Sequence, residues 1–118
     1  MLVKTFLLMN LGAFASAQTF LGFPESLTCK TDNGPATISE TECQNAIVGP
    51  KGLKQDDSAA NVASGHCSTL SGIPLFVESV AGKGDVGFAF DKSKNTYYFC
   101  FGQGVIDESG YPSSCTEN

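Results

Sequence analysis

The chain of 118 residues contains no Arg and a single His. The missing Arg removes the side chain best suited to grip phosphate or carboxylate through two parallel hydrogen bonds. There is no Asn-x-Ser/Thr triplet, so no N-linked glycan is expected. No Cys-x-x-Cys pair is present, which argues against a zinc site, and no metal or other cofactor is expected. Gly82-x-Gly84 and Gly102-x-Gly104 are not followed by a helix pattern. They read as turns at strand ends and not as a phosphate-binding loop.

Positive charge is scarce. Seven Lys face twelve Asp and Glu. Nucleic acid and anionic lipid both demand clustered positive charge, so neither is expected as a partner. No apolar run is long enough to cross a bilayer, which takes roughly 20 residues, so stable membrane insertion is not expected.

The first 17 residues have the layout of a secretory signal. Lys4 precedes an apolar run, and Ala15-Ser16-Ala17 supplies the small residues that signal peptidase accepts. Cleavage after Ala17 would leave residues 18–118 as one secreted, extracellular domain. Gln18 would then be the N-terminus and could cyclise to pyroglutamate. Lys4 would be lost, leaving six Lys against the twelve acidic residues.

Five Cys remain: Cys29, Cys43, Cys67, Cys100 and Cys115. In a secreted chain they read as a disulfide framework with one thiol left over. The leading expectation pairs Cys29 with Cys115, tying the two ends, and Cys43 with Cys100, leaving Cys67 free. The competing arrangement pairs Cys43 with Cys67 and Cys29 with Cys100.

Three segments alternate with period two and are rich in β-formers: 73–81, 85–90 and 96–102. They predict a three-stranded meander that organises the rest. In the last strand, Tyr97, Phe99 and Phe101 should share one face, and Tyr98 and Cys100 the other. Gly87 and Ala89 should leave a shallow strip beside Cys100 on which a helix could settle. The best helix signal covers 37–47, with Thr37 and Glu40 as a capping box and Val48-Gly49-Pro50 as the stop. Ile38, Cys43, Ala46 and Ile47 would form its buried face, which is why Cys43 is expected against Cys100. A short strand is expected at 27–30 and an edge strand at 66–70. Residues 51–65 read as a surface loop with one helical turn at 58–63, and the chain after Gly104 as a polar tail. The expected fold is therefore α+β: one main helix on a small antiparallel sheet, stabilised by disulfides.

No catalytic constellation emerges. His66 and Cys67 are neighbours, and neighbours on a strand point to opposite faces, so a nucleophilic dyad is not expected. An unpaired Cys67 would have its reactivity raised by His66. Asp56-Asp57 and Asp107-Glu108 read as solvated turn residues and not as an acid–base pair.

The signal, the size and the cysteines together resemble the small secreted cysteine-containing proteins of fungi, many of which act as effectors on host plants. Cys29, the run Glu42-Cys43-Gln44-Asn45-Ala46-Ile47 and then Gly65-His66-Cys67 resemble the killer-toxin-like α/β sandwiches. That resemblance implies a helix cysteine locked to an antiparallel sheet. One helix, a central sheet, a Cys near each end and a late aromatic strand are also similar to the fungal guanyl-specific ribonuclease fold. That family requires a Glu, an Arg and two His, so the resemblance implies the fold without the enzyme. The functional expectation is a non-enzymatic effector or virulence-type protein that binds a host or competitor protein or glycan. A ribonuclease-like enzyme and a killer-toxin-like antimicrobial protein are the alternatives.

Overall fold

The computed structural model describes residues 17–62 and 65–118. The expected signal segment falls almost wholly outside the described residues.

The described residues are mostly β, with 49% of them in strands and one short α-helix among them. The strands are β1 (Thr19–Leu21), β2 (Ser26–Thr31), β3 (Gly34–Ser39), β4 (Leu53–Asp56), β5 (Leu75–Val80), β6 (Gly84–Asp91), β7 (Thr96–Ile106), β8 (Pro112–Ser114) and β9 (Thr116–Glu117). The helix α1 is Glu40–Ile47, and a 3₁₀ turn covers Ala59–Asn61. This corrects the expected α+β fold, because two sheets and not a helix on one sheet make the body. The larger sheet runs β1-β7-β6-β5-β4, with β8 also paired to β7. The smaller runs β3-β2-β9. The β5–β6–β7 meander is antiparallel throughout, whereas β1 joins β7 in parallel.

The helix is shorter than its sequence signal because β3 takes the residues before it. Leu27 pairs with Ile38 and Thr28 with Thr37 across β2 and β3. The helix therefore starts two residues later, with Ser39 and not Thr37 as its cap. Ser39 Oγ accepts from the Glu42 backbone N–H at 3.1 Å, and Glu42 Oε1 accepts from the Ser39 N–H at 3.0 Å. The other Glu42 oxygen accepts from Lys83 Nζ at 2.7 Å, which ties the helix start to the β5–β6 turn. At eight residues, α1 depends on this tertiary packing.

Two cores lie on opposite faces of the larger sheet. The first holds Leu27, Ile38, Cys43, Ile47, Val86, Phe88, Tyr97 and Phe99, and it is closed by the smaller sheet and α1. The second holds Ala59, Cys67, Leu75, Ala89 and Cys100, and it is closed by the long segment between β4 and β5. Within the expected 51–65 loop, Leu53–Asp56 is thus a strand, and Ala59 and Val62 pack into the second core. No strand forms at 66–70.

A bulge sets which residues face which core. Gly87 pairs with Phe101, but Phe88 pairs with Phe99, so Cys100 is the extra residue on β7. Beyond the bulge the alternation is inverted. Phe101 packs with Tyr98 and Cys100 on the second core, and not with Tyr97 and Phe99 as strict alternation predicts.

The chain after Gly104 continues the sheet. β7 runs on to Ile106 and turns into β8, and β9 then adds to β2 in the smaller sheet. Gly102 and Gly104 lie inside β7 and are not turn residues. A Cβ on Gly104 would lie 2.5 Å from the Lys30 carbonyl oxygen, so the smaller sheet crosses β7 at backbone contact there. Among the described residues no helix is long and apolar enough to cross a membrane.

Candidate functional site

The cysteines are the first site residues to place. Cys29 is bonded to Cys115, S–S 2.06 Å, joining β2 to the short link between β8 and β9. Cys67 is bonded to Cys100, which fastens the β4–β5 segment to the bulge on β7. Their sequence separations are 86 and 33. The chain-entropy model values such loops at about 4–5 and about 3–4 kcal/mol.

The expected Cys43–Cys100 bridge is not formed, and the free thiol is Cys43 and not Cys67. The reason is the choice of face. The helix settles on the aromatic face of the sheet, beside Val86 and Phe88, and so lies on the opposite side from Cys100. The strip at Gly87 is filled by the Phe101 ring. Burial, aided by the Glu40 charge, pushes the Cys43 thiol up to about 12. A thiol held protonated in this way is neither nucleophile nor metal ligand.

His66 does not activate a cysteine, since its neighbour Cys67 is spent in a disulfide. Its Nε2 lies 2.8 Å and 3.0 Å from the two carboxylate oxygens of Glu117 on β9. Its backbone N–H donates to the Cys100 carbonyl at 2.8 Å, and its ring lies 5.9 Å from that of Phe99. These contacts clasp the end of the lid segment to the smaller sheet.

The acidic pairs are engaged in turns. Asp56 Oδ1 accepts from the Ser58 N–H and from Asn61 Nδ2, both at 2.9 Å. These bonds, the Ser58 backbone first, hold its carboxyl below the ordinary carboxylate value. Asp57 pairs with Lys54 at 2.7 Å. Asp107 Oδ1 accepts from the Ser109 hydroxyl at 2.6 Å and from its N–H at 2.9 Å, which lowers its pKa as well. Among the described residues no cluster of three His, Cys, Asp or Glu side chains could hold a metal ion.

Two surface features remain, and neither was singled out from the sequence. The first is the β7–β8 hairpin. Ile106 is 66% exposed and Tyr111 73%, and Ile106 is opposite Pro112 in the strand register. The tip between them is fixed by Asp107 N–H to the Tyr111 carbonyl, 3.1 Å, and by Gly110 N–H to the Asp107 carbonyl, 3.0 Å. Ser113 Oγ also donates to the Val105 carbonyl at 2.8 Å. Two exposed apolar residues are thus carried on a hydrogen-bonded hairpin with Asp107 and Glu108 at its end. The available sequence signal was a large aromatic standing alone in the polar tail.

The second feature is a groove of about 680 Å³ where the first core opens at its edge. Its walls are Pro50, Ile73, Pro74, Phe76 and Phe90. Phe76 stacks on Phe88 at 5.4 Å and Phe90 tilts against Tyr97 at 4.6 Å, so the two wall rings are anchored in the core. The Phe90 N–H donates to the Pro74 carbonyl at 3.2 Å. The Gly49 N–H donates to the Tyr97 hydroxyl at 2.9 Å, which holds the Pro50 side in place. One end of the groove is polar and is formed by the β6–β7 turn with Asp91, Lys92, Ser93 and Asn95.

No protein-family model, curated protein or solved structure matches the chain.

Proposed function

We propose that this is a secreted effector-type protein that acts by binding a host or competitor molecule and not by catalysis, and that the β7–β8 hairpin is its docking element. The exposed pair Ile106 and Tyr111 is the observation that supports the reading. An exposed aromatic and an exposed β-branched residue carried on one braced hairpin resemble the anchors of protein interfaces, where Tyr is enriched. The rigid turn lowers the conformational cost of engaging a partner. Asp107 and Glu108 at the tip favour a partner whose apolar cleft is rimmed by Lys or Arg. Two disulfides suit a small domain that must hold this shape outside the cell.

The test compares the wild type with an Ile106→Ser/Tyr111→Ser variant as immobilised bait in extracellular fluid of a candidate host or competitor. The wild type should retain a species that the variant does not, while both unfold at the same denaturant concentration. The same set of retained species on both baits would reject the hairpin as the docking element. Cleavage of RNA by the wild type, lost on His66→Ala, would reject the non-enzymatic reading.

A further inference from the structure

We infer that the groove beside Phe76 and Phe90 is a binding site for a small anionic amphiphile: an alkyl or aryl body ending in a carboxylate or similar acid. This is independent of the hairpin and of any protein partner.

The body of the ligand follows from the walls. Pro50, Ile73, Pro74, Phe76 and Phe90 present carbon without a charged group. The wall rings are half-buried, so part of their surface still faces the opening. A volume of about 680 Å³ lies in the range of small-molecule sites, roughly 300–1,000 Å³. The walls are held by the hydrogen bonds to Tyr97 and Pro74, so the site is formed before a ligand arrives. Covering the exposed apolar surface would contribute on the order of 25 cal/mol per Å² removed from water.

The head follows from charge. Among the described residues, Lys83 is paired with Glu42 and Lys54 with Asp57. Among the described residues no carboxylate lies within 4.0 Å of the Lys92 or Lys94 ammonium, and both belong to the turn that forms the polar end. Asp91 is the one acid in that turn. Its Oδ1 accepts from the Ser93 hydroxyl at 2.7 Å and from the Ser93 N–H at 3.1 Å. These bonds keep the Asp91 carboxylate ionised, so the turn carries the two charges of Lys92 and Lys94 against one, and Lys92 stands at the groove mouth. In a protein with a formal net charge of −5, a cationic lip on an apolar groove favours an acid over a cation.

The probe is sodium decanoate, titrated below its micellar concentration into purified protein by calorimetry, with decyltrimethylammonium as the cationic match. Decanoate should bind one-to-one and the cation more weakly. Lys92→Glu should weaken decanoate binding about three- to tenfold, the scale of reversing one exposed charge contact. Lys30→Glu, at the β2–β3 hairpin, should leave it unchanged. Ile73→Asp should abolish binding, with folding checked by circular dichroism. Absence of decanoate binding, equal binding of the cation, or an affinity unchanged by Lys92→Glu would each overturn the inference. Lys92 is exposed, so that variant keeps the test valid should Ile73→Asp not fold.

Discussion

The far end of the Phe101 ring lies against Gly87 on the neighbouring strand. A Cβ built on Gly87 would meet Cζ at 2.4 Å, Cε1 at 2.5 Å and Cε2 at 2.6 Å. The contact exists because the bulge at Cys100 turns Phe101 onto this face. Gly87→Ala should therefore destabilise the protein by about 1–3 kcal/mol, the usual cost of forcing extra volume into a packed site. Urea unfolding reads this as a lower midpoint at unchanged slope. In a Gly87→Ala/Phe101→Leu double variant the losses should be less than additive, since the smaller side chain relieves the clash. Additive losses would mean that the ring does not occupy the strip.

Cys43 should be inert in the folded protein. Its burial and its thiol, pushed up to about 12, leave almost no thiolate at neutral pH. Ellman's reagent should report no reactive thiol in native protein and one after unfolding without reductant. Rapid labelling of the native protein would show that the helix does not cover this face.

Glu42 gives stability a pH dependence at the acid end. The Lys83 hydrogen bond, then the Ser39 backbone bond, lower its pKa below the ordinary 4.5. A carboxyl depressed in the folded state contributes stability that is present above its unfolded pKa and is lost as pH falls through the folded one. Glu42→Gln should thus be less stable than wild type at pH 7, and the gap should shrink below about pH 4. A gap that stays constant down to pH 2 would show that the charge on Glu42 contributes nothing.

The meander was legible from its alternating bulky residues, since period-two patterning of β-formers dictates strands directly. The approximate place of α1 was legible from its acids and the Gly-Pro stop. The face of β7 beyond Phe99 was not legible, because a one-residue bulge leaves no mark in composition. The wrong assignment of Phe101 left the Gly87 strip open to the helix and placed Cys43 opposite Cys100. The smaller sheet was missed because β3 and β9 lie in Pro-, Thr- and Glu-containing segments with weak propensity, and pairing with β2 decides them. The groove was missed because its walls come from three separated segments around Pro50, Ile73 and Phe90. The hairpin was missed because the residues after Gly104 read as polar, although Ile106 and Tyr111 stood in them.

The two-core architecture, and with it both proposed binding surfaces, rests on how the cysteines are joined. Unreduced protein recovered from the medium of expressing cells can be alkylated in denaturant, digested and mapped by mass spectrometry. The account predicts one peptide pair linked through Cys29 and Cys115, one through Cys67 and Cys100, and the label on Cys43 alone. A Cys43–Cys100 or Cys43–Cys67 linkage, or label on Cys67, would contradict it, because the helix would then have to lie on the other face of the sheet.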